Sequence, residues 1–354
     1  MSESVLNRTK NWYRCVGVLS EKDLKLEDCK VKLYADGKPT GEEIEAECVK
    51  GKVAIKTETG IQTFGIYFTS KAMDGKDSKD WGMAKAMYEK WNPAIGGDGS
   101  DPTVVALEGM AEINDYVGEN GLRTSLQFRV RRANTRVSPD EDHGMTLNAT
   151  AYIHKMTPEV RNDEETGRLK VTLYGANGKG ACFPIDMIVE TDLAEDFETT
   201  YEVGQTVNFD IDIVTKHVGS TKGGKKAFGK GGKMNVNSGF DVTEYVLAGC
   251  DDPIEEPDEL TVEDEDGNEV EVKTEWINPA AMKKAIKARA TMLEELAKND
   301  NASKSGEKSV KERKAERKAG GLGKTKAKSN FDEDEDEGYL DVEGDDPFNY
   351  PDEF

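Results

Sequence analysis

The stretch from Gly219 to Lys233 has the composition of a loop that could hold phosphate groups. It contains six glycines and five lysines in fifteen residues. Glycine lets the backbone approach a ligand, lysine neutralises phosphate, and the ring of Phe228 offers a base a surface to stack on. A solvated flexible loop is the alternative, but the composition favours contact with nucleic acid. The five lysines are Lys222, Lys225, Lys226, Lys230 and Lys233.

The same loop almost matches the nucleotide-binding motif GxxxxGK, since Gly219 to Lys225 fits that spacing after a predicted strand. The match then ends, because Lys226 stands where a Ser or Thr should hold Mg²⁺ and further glycines follow where a helix should begin. Nucleotide hydrolysis is therefore the less favoured hypothesis, and no cofactor is expected.

A second basic group lies on a predicted strand in the first half of the chain, where five arginines fall within fourteen residues. The alternate residues Leu126, Phe128 and Val130 are assigned to the core, so Arg129 and Arg131 should point to solvent. Pairing with nearby acids explains any single arginine equally well, but the cluster favours a surface that follows phosphates. The five are Arg123, Arg129, Arg131, Arg132 and Arg136.

Two tyrosines, Tyr152 and Tyr174, occupy polar-facing positions of predicted strands, and Tyr174 shares its face with Arg168 and Lys170. Stacking contributes roughly 1 to 3 kcal/mol per base whatever the sequence, so a few exposed rings suffice for general binding. Burial is an equal alternative for each tyrosine. Further candidate rings in the first half are Trp12, Tyr13, Phe64, Tyr67 and Phe68, of which Phe64 and Phe68 are assigned to the core.

Few residues could carry catalysis or hold a metal. There are three histidines, and the five cysteines include no CxxC pair, which disfavours a zinc site or a disulfide framework. Asp210 and Asp212 share one strand face, but two solvated carboxylates are favoured over a metal site. We expect no enzymatic activity.

The elements that would position these residues are mainly strands. Predicted strands in a first region cover 12–19, 31–34, 44–49 continuing near 53–55, 61–69, 104–113 and 122–132, with a helix at 80–91. Predicted strands in a second region cover 147–156, 168–174, 181–189, 206–215 and 240–247, with a helix at 192–200. Five strands with a helix between the third and fourth is the order of an OB-fold barrel, which binds nucleic acid through strands two and three and nearby loops. We therefore predict a mainly β chain with one or two OB-like five-stranded barrels.

The chain changes character after residue 250. Thirteen acids and one lysine fill 251–275, and the last 24 residues hold twelve acids and no Lys or Arg, so the net charge of −22 reflects mainly these extensions. Such a tail repels itself and stays solvated. The predicted units are an N-terminal OB-like domain at 1–138, an OB-fold domain at 145–250, an acidic extension at 251–275, a helix at 278–298, a basic flexible linker at 299–330 and an acidic tail at 331–354.

No apolar run of 18 residues and no charged-then-apolar start is present, so we expect neither a membrane span nor a secretory signal. The expected location is the cytoplasm, or the host cytoplasm if a phage encodes the protein.

Taken together, the barrels, basic loop, linker and acidic end resemble single-stranded DNA-binding proteins, especially those of bacteriophages. The sequence Asp345-Asp346-Pro347-Phe348 looks like the Asp-rich Pro-Phe tip of bacterial members, although six residues follow it here. The final Asp352-Glu353-Phe354, after Tyr350, looks like the Phe-ended tails of T7-like phage members.

This resemblance implies sequence-independent binding and protection of single-stranded DNA in replication, recombination and repair. It also implies a tail that competes with DNA for the basic groove and recruits replication and recombination proteins. The alternative is an acidic protein-interaction or chaperone-like protein that does not bind DNA. The oligomeric state is not predicted.

Overall fold

The computed structural model describes residues 6–35, 38–118, 121–161, 163–178, 181–218, 240–257, 261–263, 269–271 and 274–298. The predicted basic loop, linker and acidic tail lie outside these residues.

The first half of the chain has the strand order of an OB fold. Its elements are β1 (Asn11–Ala35), β2 (Lys38–Thr57), β3 (Gly60–Thr69), helix α1 (Trp81–Lys90), β4 (Val104–Gly118) and β5 (Gly121–Asn134). β1 pairs with β2 and β4, β2 with β3, and β4 with β5, all antiparallel. β5 lies beside β3, but no backbone ladder joins these two strands in the described residues. We refer to this half as the first barrel.

The second half forms a closed five-stranded barrel. Its elements are β6 (Met145–Arg161), β7 (Glu164–Gly178), β8 (Ala181–Val189), helix α2 (Thr191–Thr200), β9 (Thr206–Val218) and β10 (Phe240–Cys250). Ladders run in the order β6, β7, β8, β10, β9 and back to β6, with β8 and β10 parallel. This is the OB-fold order, so the predicted fold class is confirmed.

The alternation of side chains explains these strands. Leu169, Val171 and Leu173 on β7 are at most 2% exposed, whereas the residues between them face outward. Phe209, Ile211 and Ile213 on β9 are likewise buried, at 0 to 1%. One apolar face per strand is what closes a small barrel around a solid core.

The two barrels share one ten-stranded sheet. Residues Asn11–Cys15 of β1 pair with Met145–Ala149 of β6, while residues 12–18 of the same strand pair with β4. Residues 139–144, which lie between the two predicted domains, are tied to the first barrel, since the amides of Val16 and Glu58 each donate to a carbonyl oxygen there, at 2.8 Å. The barrels are therefore packed directly together.

The turn between β2 and β3 also joins the two barrels. The amide of Thr215 on β9 donates to the carbonyl oxygen of Thr59 at 2.8 Å, and Gln62 donates to the carbonyl oxygen of Ile213 at 3.2 Å. Gly60 has φ +124°, and a Cβ there would lie 2.0 Å from the Thr215 oxygen. Only glycine permits this close approach.

A third helix, α3, spans 279–298 and confirms the predicted helix. Asn278 caps it, because its Oδ1 accepts from the amides of Ala280 and Ala281 at 2.9 and 3.1 Å. The sequence left open whether α3 packs on the second barrel or on another subunit. Its buried face, Met282 and Ala285, packs on the second barrel.

Smaller elements also follow the sequence. α1 buries Ala84 and Met87, and its last turn is held by Lys22, whose Nζ donates to two carbonyl oxygens at 2.6 and 3.0 Å. The acidic extension contains a short hairpin of β11 (Thr261–Glu263) and β12 (Glu269–Glu271). No helix in the described residues is long and apolar enough to cross a membrane.

One prediction of the strands was wrong. The charged stretch at 20–30 was predicted to break the chain into two strands, but β1 runs through it as one 25-residue strand. Leu24 and Leu26 pack against the core between the exposed Asp23 and Lys25. Charged residues on the solvent face do not end a strand that has a partner along its length, and β2 supplies that partner.

An ion-pair network ties three strands of the second barrel together. Arg168 on β7 lies 2.8 Å from Glu159 on β6 and 3.3 Å from Glu244 on β10, and all three side chains are at most 13% exposed. Hydrogen bonds from Arg168 lower the pKa of Glu159 to about 2. Burial alone would raise the pKa of Glu244, but hydrogen bonds from Arg161 and Arg168 outweigh it and lower the pKa to about 2.

This network predicts loss of stability in acid. Both carboxyls titrate near 4.5 when unfolded and near 2 when folded, so they stabilise the fold fully above about pH 4.5 and less as the pH falls toward about 2. We expect the double variant Glu159→Gln, Glu244→Gln to lose less of its melting temperature than the wild type across that window. Circular dichroism melts at several pH values measure this difference.

The control is Glu195→Gln with Glu198→Gln, two exposed positions on α2. Equal pH slopes for the wild type and the network variant would show that these ion pairs do not stabilise the barrel.

Candidate nucleic-acid interface

The outer face of β2 in the first barrel carries a row of exposed lysines. Lys50, Lys52 and Lys56 form this lysine row, and they alternate with residues that face the core, such as Val49 and Val53. The period of two places all three ammonium groups on one side of the sheet. Their register partners on β3 are Tyr67, Gly65 and Ile61, respectively.

The neighbouring strand β3 leaves this face open and partly apolar. Tyr67 is 61% exposed and Ile61 52% exposed. A Cβ added to Gly65 would have no atom within 4 Å. An exposed ring beside lysines is the combination that single-stranded nucleic acid requires, because bases stack on rings while ammonium groups neutralise phosphates.

The charge on this face is positive toward β3. Lys50 pairs with Glu27 of β1. Lys52 and Lys56 have no ion-pair partner within the described chain, although Asp23 lies in register with Lys52. β3 carries no charged residue between Gly60 and Thr69. Positive charge therefore borders an uncharged strip that can accept bases.

Arginines on β5 extend the surface, because β5 lies beside β3. Arg129 is exposed, as predicted, and lies 3.5 Å from Glu112. Arg131 lies 3.9 Å from the same carboxylate and is half-buried, because it is the extra residue of a β-bulge. Arg131 was predicted to point to solvent, and its side chain is 33% exposed. Burial lowers the pKa of Arg131, as do the nearby Arg129 and Arg8, whereas Glu112 raises it.

The other three predicted arginines are exposed. Arg132 lies over the ring of Trp12, 5.7 Å from its centroid. Arg123 is the cross-strand partner of Tyr116 near the end of the β4–β5 hairpin. Arg136 follows β5, and its amide donates to Asn134 Oδ1 at 2.7 Å. The five arginines thus lie along about the length of one strand and do not form one compact site.

The corresponding face of the second barrel is already occupied. Arg168 was predicted to contact nucleic acid, but its guanidinium is taken up by Glu159, Glu190 and Glu244. Lys170 pairs with Asp186 at 2.9 Å. Because these charges are balanced by acids, this face offers little net positive charge.

The two predicted stacking tyrosines of the second barrel lie under α3. Tyr152 is 1% exposed, so the prediction that it faces solvent was wrong. Tyr174 is half-buried, packs against the same cluster and meets the ring of His154 edge-on at 5.2 Å. Period-two alternation placed both rings outside the barrel, but it could not show that a distant helix covers that side.

The remaining predicted contacts lie outside the described residues, and their roles stay predictions. They are Lys222, Lys225, Lys226, Phe228, Lys230 and Lys233 of the loop, and Asp345, Asp346, Pro347, Phe348, Tyr350, Asp352, Glu353 and Phe354 of the tail.

The described residues hold no group of three or more metal-ligating side chains. Asp212 accepts a hydrogen bond from Thr146 at 2.9 Å, and Asp210 accepts one from Asn148. Both carboxylates thus bond across to β6, which agrees with a structural use.

Sequence reasoning missed the lysine row. The signal was present, because Lys50, Lys52 and Lys56 recur at even spacings in a predicted β region. The acids of the preceding stretch and the strongly acidic composition concealed it.

Comparison with known proteins identifies the family. The family model for YorF matches residues 13–299. The chain belongs to the YorF family. A search of curated proteins gives no match.

Among solved structures, the chain is similar to the wild-type single-stranded DNA-binding protein of Thermus aquaticus, with 12% identity and a TM-score of 0.35 over 72% of this chain and 97% of that one. A deletion mutant of that protein gives 12% identity and a TM-score of 0.35 over 71% and 99%. A replication protein A heterotrimer bound to single-stranded DNA gives 10% and 0.18 over 72% and 67%. These TM-scores are too low to bear on fold or function.

The different burial of Tyr152 and Tyr67 predicts different effects of their replacement on stability. Tyr152→Ala should cost about 3 kcal/mol of unfolding free energy, because it empties a packed site beneath α3. Tyr67→Ala should change stability little, because that ring is mostly exposed. Urea denaturation of both variants checks this, and equal losses would contradict the assigned burial.

Proposed function

We propose that this protein binds single-stranded DNA without sequence preference, and that the outer face of β2, β3 and β5 in the first barrel is the principal contact surface among the described residues. The observation that carries the proposal is the lysine row beside the exposed ring of Tyr67 on an OB-type strand pair. Strands two and three are where OB folds bind oligonucleotides.

The chemistry of the face fits an unpaired strand better than a duplex. Lysines act as point charges on phosphates and carry no base information. Tyr67 offers a stacking surface that any base can use, but a base must be unpaired to lie on it. The expected activity is therefore binding alone. The protein would protect single strands in replication, recombination and repair. The likeness of its tail to those of phage proteins suggests that this takes place in a bacteriophage.

Removal of the lysine row tests this proposal. The triple variant Lys50→Gln, Lys52→Gln, Lys56→Gln should bind fluorescent oligo-dT at least about 10-fold more weakly at low salt, and its log–log salt slope should be shallower by about 2 units, since each phosphate contact contributes about 0.7. Fluorescence anisotropy at several salt concentrations measures both quantities.

The matched control removes the same charge elsewhere, through Lys90→Gln, Lys155→Gln and Lys287→Gln at exposed sites on α1, β6 and α3. Equal losses in the two triple variants would show a diffuse charge effect and would refute the assigned face. A wild-type chain that leaves oligo-dT unbound would instead favour the acidic interaction or chaperone-like alternative.

We further propose that the acidic tail at 331–354 competes with DNA and recruits replication and recombination proteins. Support comes from the sequence alone, where twelve acids are tethered through a linker of about 30 residues, so that their effective concentration is on the order of millimolar.

Deletion of residues 331–354 should tighten binding to oligo-dT in dilute buffer, and the gain should shrink as salt screens the tail. Anisotropy titrations of the full-length and truncated proteins measure this. An unchanged affinity at low salt would exclude competition by the tail.

A further inference from the structure

The β4–β5 hairpin extends beyond the core of the first barrel. Ile113 and Leu126 are its last partly buried pair, and beyond them Tyr116 and Leu122 are each 38% exposed. A two-stranded extension has little stability by itself in water. Residues 113–118 and 121–126 form this hairpin arm, and its position must depend on support from elsewhere.

That support comes from α3. Arg289 Nη2 lies 2.6 Å from Asp115 Oδ1 on β4 and 3.5 Å from Thr124 Oγ1 on β5. Thr124 in turn donates to Asp115 at 2.5 Å. The side chains of Arg289 and Asp115 are only 8% and 9% exposed, so the pair is shielded from water. One guanidinium thus holds both strands of the arm.

Alternation places Asp115 and Thr124 on the side of the arm that continues the core-facing side of the barrel. The opposite side carries the cross-strand pair Tyr116 and Arg123, both exposed, and runs in line with Arg129. The outer side of β5, which carries Arg129, therefore continues onto the arm. A ring and a guanidinium side by side can hold one base and one phosphate.

We propose that α3 acts as a brace that fixes the hairpin arm as part of the nucleic-acid interface. In this arrangement Tyr116 and Arg123 contact the single strand, and Arg289 is a positioning residue that does not touch it. The inference rests on the proposed function. It adds that binding at the first barrel depends on a helix seated mainly on the second barrel, through Met282 and Ala285.

The experiment uses the full chain and a double-mutant cycle. Tyr116→Ala with Arg123→Gln should weaken binding to oligo-dT about 10-fold at low salt, as loss of one stacked base and one phosphate contact requires. Arg289→Met should weaken it by a similar factor. The triple combination should be no weaker than the Tyr116 and Arg123 variant, because a misplaced arm and an arm without contacts lose the same interactions.

Three further variants show whether Arg289 acts by positioning the arm, through its charge or through folding. Lys287→Gln removes one charge from an exposed site on the same helix and should leave affinity unchanged. Asp115→Asn combined with Arg289→Met removes both charges of the buried pair, so it keeps the test valid if Arg289→Met alone does not fold. It too should weaken binding about 10-fold. Arg289→Lys should recover part of the affinity, because an ammonium group can still bond Asp115.

Limited trypsin digestion gives a readout independent of DNA. Cleavage after Arg123 should be several-fold faster in Arg289→Met than in the wild type, because the arm opens more often. Unchanged cleavage with wild-type affinity would overturn the brace, as would additive losses in the cycle. If the lysine-row variant still loses affinity in those cases, the proposed function stands. If the wild-type protein does not bind oligo-dT, both proposals are overturned.

Discussion

The pairing of one short segment with two strands at once holds this molecule together. Trp12–Cys15 pairs with β4 of its own barrel on one edge and with β6 of the other barrel on the opposite edge. Backbone groups buried in a sheet must find partners, so this double pairing fixes both register and orientation. The Thr59–Gly60 turn, which bonds to β9, prevents rotation about the shared strand. The position of α3 and the reach of the hairpin arm follow from that fixed geometry.

The two barrels have the same strand order but use their outer faces differently. In the second barrel, that face is held by the Arg168 network at one end and covered by α3 at the other. In the first barrel, the face of β2 and β3 has neither cover nor balancing acids on β3. The same strand order therefore leaves one outer face open and the other occupied, because the state of the face depends on what lies against the sheet.

Strand positions could be predicted from the sequence because apolar residues at period two specify a buried face, as at Leu169, Val171 and Leu173. The OB order of the second barrel followed from the number of strands and the place of α2. Contacts between distant segments could not be predicted. Nothing near Tyr152 indicates that Met282 will cover it, because that contact depends on where α3 packs. Nothing near Arg168 indicates that Glu244 will meet it, because that contact depends on barrel closure.

In the candidate site, too, local features could be predicted from the sequence and contacts between strands could not. The outward side of Arg129 was predictable from local alternation, whereas the half-buried state of Arg131 depends on a bulge set by the register of β4. The lysine row was visible as a spacing, but its importance depends on which neighbours stay uncharged. That information is in the pairing of β2 with β3 rather than in either strand alone.

The shared strand also has a consequence for any attempt to divide the chain. A fragment that begins at Met145 would lose β1. The edge of β6 that pairs with β1, from Met145 to Ala149, would then have no hydrogen-bond partner. Unpaired sheet edges recruit strands from other molecules. Separated halves would therefore tend to exchange strands between copies or to aggregate. The two OB units are thus not interchangeable modules.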